Sequence, residues 1–183
     1  MSSHELLATA QAMVAPGKGL LAMDESNDTC NRRFTQLGIE TTVENRRAYR
    51  SLIVTTPGLG DYISGAILYD ETIRQSLEDG RSFVQALLDA GIIPGIKLDM
   101  GAKPLAKHPN EKVTEGLDGL RDRIAEYYNM GARFAKWRAV ITIGENDKLP
   151  SPASIEANAH ALARYAALCQ EGGLVPIVEP EVL

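Results

Sequence analysis

Apolar residues in this chain follow two spacings that alternate. Near the start, Leu6, Ala10, Met13 and Val14 fall on one side of a helical period. This predicts an amphipathic helix, opened by a capping box of Ser2 with Glu5 and closed by Pro16 and Gly17. The run GLLAMD comes next, short and continuously apolar, bounded by Gly19 and a charged cluster, which suits a buried strand. The alternation then repeats. Thr41 with Glu44 caps a helix through ENRRAYRSLIV, and DYISGAILYDE reads as a second strand. SFVQALLDAG is a short helix with Gly91 just past its end, and IIPGIKLDMG is a third strand. EGLDGLRDRIAEYYNMG places Leu117, Leu120, Ile124 and Tyr127 on one helical face, and RFAKWRAVI is a fourth strand. The longest helix is SPASIEANAHALARYAALCQEGG, with Pro152 in its first turn and Ile155, Ala159, Leu162, Ala166 and Cys169 facing inward. LVPIVEPE is the fifth strand, and AKPLAKHPNEKVT, after the third, reads as the longest irregular loop.

Strands and helices in strict order, with mostly apolar strands, predict a parallel sheet covered by helices. No low-complexity stretch or linker divides residues 1–183, so a single domain is expected. A doubly wound nucleotide-binding sheet would place a glycine-rich turn after the first strand. The segment there, DESNDTCNRRF, contains none. A closed barrel is favoured, but eight strands need about 250 residues. The expectation is therefore an incomplete α/β (β/α)8 barrel with about five of its units, truncated at its C-terminal end.

Charge sharpens this reading. Charged residues within the strands sit near their C-terminal ends at i, i+2 spacing: Lys97 with Asp99, Lys136 with Arg138, Glu179 with Glu181, and Asp24 closing the first strand. Residues two apart in a strand share a face. Each pair therefore points to one side of a sheet whose two faces are normally buried, at the strand ends where barrel sites form. The cluster is nearly balanced in sign, so its members can pair. Trp137, between Lys136 and Arg138, is expected to pack under the helices instead.

The net charge of −5 offers no basic footprint for nucleic acid. No apolar run is long enough to span a membrane, and the first residues resemble neither a secretory signal nor a transit peptide. Cys30 and Cys169 lie far apart without metal-type spacing, which fits a reduced, cytoplasmic protein. His4, His108 and His160 are scattered and form no zinc motif.

The stretches GLLAMDES, YISGAILYDET, PGIKLDMG, EGLDGLRDR, GARFAKWR and LARYAALCQEGGLVPIVEPE, in this order, resemble class I fructose-bisphosphate aldolase across essentially the whole chain. In wording they are nearest to plastid and bacterial members. The resemblance implies a (β/α)8 barrel that cleaves fructose 1,6-bisphosphate into dihydroxyacetone phosphate and glyceraldehyde 3-phosphate, and catalyses the reverse condensation. It also implies a lysine Schiff base, no metal or other cofactor, and a homotetrameric assembly. By motif, Asp24 would bear on the C4 hydroxyl proton, Lys136 would be the cation that keeps the nucleophilic amine unprotonated, and Glu179 would shuttle protons. Lys97, Arg138, Glu181, Ser26, Thr29, Arg33 and Arg46 would contact or orient the sugar phosphate. The family's iminium-forming lysine lies in an LKP-type motif on the next strand, and this sequence has no such motif. The chain alone is therefore expected to be inactive. Two other readings remain open on the residues. One is a metal-assisted barrel enzyme using Asp99, Glu179 and Glu181. The other is a non-catalytic fragment whose open sheet edges await a partner.

Overall fold

The computed structural model describes residues 3–144 and 148–183. Helix α1 (Ser3–Met13) leads into strand β1 (Gly19–Ala22), followed by α2 (Asn27–Gln36), α3 (Val43–Val54) and α4 (Leu59–Tyr62). Next come β2 (Ile63–Leu68), α5 (Asp70–Ile73), α6 (Phe83–Asp89) and β3 (Ile93–Lys97), then a hairpin of β4 (Ala102–Pro104) and β5 (Lys112–Thr114). The remainder is α7 (Leu120–Asn129), β6 (Phe134–Ile141), α8 (Pro152–Glu171) and β7 (Val175–Val182).

The main sheet has the order β1-β2-β3-β6-β7, and every neighbouring pair is parallel. Strand order follows chain order without reversal, so there is no switch point of the doubly wound kind. Each crossover steps the same way, and the result is a five-stranded half-barrel, as expected for an incomplete (β/α)8 barrel. β1 and β7 each have one strand neighbour among the described residues.

Strand alternation divides the core in two. Ala66, Leu68, Ile96, Ala135, Trp137 and Ala139 point outward into the layer beneath the helices. Trp137 is fully buried there, its ring 5.3 Å from that of Tyr165 on α8. Ile67 and Phe134 point to the concave side, where Met13, at the end of α1, packs with them and closes the N-terminal mouth. Gly65 and Gly95 make room for the Phe134 ring: a Cβ at Gly95 would lie 2.3 Å from its Cζ. The same alternation puts Lys97, Lys136, Arg138, Glu179 and Glu181 on the concave side, above this plug.

Local departures from the sequence pattern have identifiable causes. Ser2 lies outside the described residues. Val14 is 76% exposed because α1 ends at Met13, which leaves Val14 in the turn. The cap of α3 is Thr42, not Thr41: its Oγ1 accepts from the Asn45 amide at 3.1 Å. β2 is shorter than its apolar run, since Asp61 and Tyr62 complete α4 and Asp70 opens α5. The segment after β1 forms α2, with Ser26 as its N-cap.

The expected loop after β3 contains the antiparallel β4–β5 hairpin, in register Ala102↔Thr114. That hairpin also explains the offset in α8. Its buried face is Ser154, Asn158, Ala161, Leu162, Tyr165 and Cys169, while Ile155 and Ala159 face solvent. Asn158 turns inward because its amide accepts from Thr114 N at 3.2 Å and donates to Lys112 O at 2.8 Å. A polar residue that satisfies two buried backbone groups outweighs the exposure of an isoleucine.

Candidate functional site

Parallel register brings the charged pairs side by side. Lys97 is paired with Lys136 across β3 and β6, and Arg138 with Glu179 across β6 and β7. Asp24, just past the end of β1, completes the group from the far side of the half-barrel. The Lys136 ammonium lies 2.8 Å from Asp24 Oδ2 and 3.5 Å from Glu179 Oε2. Burial alone would depress the Lys136 pKa, but Asp24, and then Glu179, outweigh it and hold the ammonium above the ordinary lysine value. Lys136 is thus a fixed cation at neutral pH. Glu179 Oε2 is shielded from solvent and has no hydrogen-bond partner among the described residues. At 3.5 Å its contact with Lys136 is ionic rather than a hydrogen bond, so that oxygen can still receive a hydrogen-bond donor.

Two further pairs flank this centre. Lys97 forms an ion pair with Asp99 and donates to its carbonyl at 2.7 Å. The Asp99 carboxylate also accepts from Gly101 N at 3.0 Å and Arg138 N at 3.2 Å, which ties β3 to β6 above the last ladder bond. Arg138 forms an ion pair with Glu181; this bond holds the glutamate below, and the arginine above, its usual range. Asp99, Glu179 and Glu181 therefore each face a different cation. They do not converge on a shared centre of the kind a divalent ion requires, and no cluster of three acidic, histidine or cysteine residues gathers among the described residues.

A cavity of about 660 Å³ opens beside the cluster. Asp24, Lys97 and Asp99 line it from the ends of β1 and β3, Arg138 from within β6, and Ser26 and Thr29 from the start of α2. Ser26 Oγ accepts from Thr29 N at 3.3 Å and donates to Thr29 Oγ1 at 3.2 Å, so both hydroxyls sit where the helix N-terminus carries partial positive charge. Together these groups can receive an anion at one end and position a polar carbon chain along the strand ends.

Arg33 and Arg46 do not line this cavity. Arg33 is exposed and pairs with Glu25 at 2.5 Å. Arg46 is buried, forked onto Glu71 at 2.7 and 2.8 Å, with Asn31 Oδ1 a further 2.9 Å contact. Its donors are committed within the fold. Sequence reasoning missed Glu25, which Arg50 and Arg33 hold below the usual carboxylate range although burial opposes it. It also missed Lys103, Arg123, Arg74 and Tyr127, which reach the cavity from the hairpin and from helices outside the strand pattern. Only the adjacency of Glu25 to Asp24 offered a signal.

A one-way parallel half-barrel with paired ions on its concave face, level with the C-terminal end of β3, has the layout of a barrel enzyme's site. Residues 5–183 match the family model "Fructose-bisphosphate aldolase class-I". The chain is 68% identical over its full length to "Probable fructose-bisphosphate aldolase class 1" of Xanthomonas campestris pv. campestris, covering 54% of that protein. It is 55% identical over 181 residues to "Fructose-bisphosphate aldolase 3, chloroplastic" of Arabidopsis thaliana, covering 46% of it. A solved structure of fructose-bisphosphate aldolase from Plasmodium falciparum, in complex with TRAP and a small-molecule inhibitor, superposes with a TM-score of 0.96 at 51% identity. That match covers 98% of this chain and 52% of the other. The chain belongs to the class I fructose-bisphosphate aldolase family, and it spans about half the length of the curated relatives it matches.

Proposed function

We propose that these residues supply the proton-handling centre and one phosphate grip of a Schiff-base fructose 1,6-bisphosphate aldolase. The observation that carries this reading is the Lys136 ammonium shared between Asp24 and Glu179 on the concave face. A ketone must meet an unprotonated amine to form an iminium, and a fixed neighbouring cation keeps such an amine neutral. Glu179, whose Oε2 faces Lys136 without a hydrogen bond among the described residues, moves protons during dehydration and hydrolysis of the iminium. Asp24 takes the C4 hydroxyl proton as the C3–C4 bond breaks, and the iminium receives the electron pair. Lys97 and Arg138, with the Ser26 and Thr29 hydroxyls, hold the phosphate at the aldehyde end, while Glu181 orients Arg138.

In this reading neither Lys97 nor Lys136 is the nucleophile, because both ammoniums are committed to carboxylates. The amine belongs to a further strand, and residues 1–183 by themselves are inactive. The working protein is a cytoplasmic homotetramer; the two free, buried cysteines support a reducing setting.

Borohydride reduction in the presence of fructose 1,6-bisphosphate, followed by mass spectrometry, tests the assignment. A polypeptide extended through a further lysine-bearing strand should be trapped on that lysine, and the 183-residue chain should carry no adduct. An adduct on Lys97 or Lys136 would overturn the non-nucleophilic roles assigned to those two lysines. A lack of any adduct on the extended chain would overturn the Schiff-base chemistry.

A further inference from the structure

The cations that line the cavity are not equally committed. Lys97 faces Asp99, Arg138 faces Glu181, and Arg74 is held by Asp70 at 2.7 Å and Glu126 at 2.6 Å. Arg123 donates to the carbonyls of Leu98 and Gly116, and no carboxylate among the described residues offsets its charge. Lys103 is different again. It lines the same cavity from β4, is exposed, and makes no ion pair or side-chain hydrogen bond among the described residues.

We propose that Lys103 is an anion subsite on the hairpin wall of the cavity, which engages a phosphate ester of the substrate, with Arg123 adding a second uncompensated charge to the same cavity. The proposal rests on the sugar-phosphate reading above and extends it to a residue outside the strand-end cluster.

Three observations carry it. First, the lysine stands on an anchored wall. The hairpin is fastened to α8 by Asn158, to the backbone of β6 by Thr114 Oγ1 donating to Arg138 O at 2.7 Å, and to the α8 cap by Glu111. Glu111 receives Ser151 N at 2.7 Å and Ser151 Oγ at 2.6 Å. A cation whose backbone is fixed relative to Arg138 loses less freedom on gripping a ligand. Second, Lys103 and Arg123 are the cavity's only charged cations without a carboxylate partner among the described residues, so an incoming anion displaces no ion pair to reach them. Third, the carboxylates do not compete for Lys103. Asp24, Glu25, Asp70, Asp99 and Glu126 are each paired, and Asp28 sits in the first turn of α2, where the helix N-terminus favours a negative charge. A multiply charged phosphate ester suits such a point charge better than a single carboxylate does.

Titration calorimetry of the chain with fructose 1,6-bisphosphate at two salt concentrations tests this, using Lys103→Met to remove the charge while keeping the stem. Circular dichroism and thermal melting check that the variant folds. Arg121→Gln, which removes an exposed cation paired with Glu171 outside the cavity, serves as control. The expected result is binding about five- to thirty-fold weaker in Lys103→Met, with a shallower dependence on salt, and no change in the control. Equal affinity of wild type and Lys103→Met would overturn the subsite and leave the sugar-phosphate reading standing. Failure of the wild-type chain to bind the bisphosphate would overturn the subsite, and the sugar-phosphate reading itself stands or falls on the borohydride trapping above.

Discussion

Gly95→Ala is the most direct test of how the strands support the site. Gly95 sits in β3, two residues before Lys97, facing the Phe134 ring. A methyl there would stand 2.3, 2.4 and 2.6 Å from Phe134 Cζ, Cε2 and Cε1, about 1 Å inside ordinary van der Waals contact. The ring has little room to yield. It is fully buried, Met13 and Ile67 pack on it, and Gly65 marks a second close approach at 2.9 Å. Relief must come from β3 or β6 moving, and both strands carry site lysines. Overpacking of this kind costs about 1–3 kcal/mol. For a chain of this size that corresponds to a melting temperature lower by about 2–12 °C. Urea unfolding of Gly95→Ala, Phe134→Leu and the double variant completes the cycle. Removing the ring should relieve the clash, so the double variant should be more stable than the sum of the single effects by at least about 1 kcal/mol. Additivity within about 0.5 kcal/mol would refute the claim that the glycine exists to seat this ring.

Glu25 is held below its ordinary pKa of 4.5, so its ion pair contributes stability above about pH 4.5 and loses it as pH falls through the lowered value. Arg50→Met should destabilise the chain by about 3 kcal/mol near neutrality, with the gap to wild type narrowing toward pH 3 in urea titrations; a constant gap would show that Arg50 acts through packing alone. Asn158→Ala should cost about 1–3 kcal/mol by leaving the Thr114 amide and Lys112 carbonyl unpaired. Hydrogen exchange at Thr114 should accelerate, and unchanged protection there would show that the hairpin does not depend on α8.

The alternation of apolar periods, read with the i, i+2 charges, was sufficient to infer parallel strands with one ionised face, because side-chain direction in a strand is a local consequence of backbone geometry. It placed Lys97 and Asp24 at strand ends and put Lys136, Arg138 and Glu179 on the same face, with Trp137 on the opposite one. Lys136, Arg138 and Glu179 nevertheless lie within β6 and β7, because both strands run on past the end of β3. Which cation faces which carboxylate is not a local matter. Lys136 lies between Asp24 and Glu179 because β1, β6 and β7 belong to one curved sheet, although those residues are far apart in sequence. Tertiary structure likewise turned Arg46 to Glu71, rotated Asn158 inward against its own apolar stripe, and folded a loop-like segment into the hairpin that carries Lys103. Each of these outcomes depends on satisfying a buried charge or backbone group with a partner from elsewhere in the chain, and only the assembled fold supplies that partner.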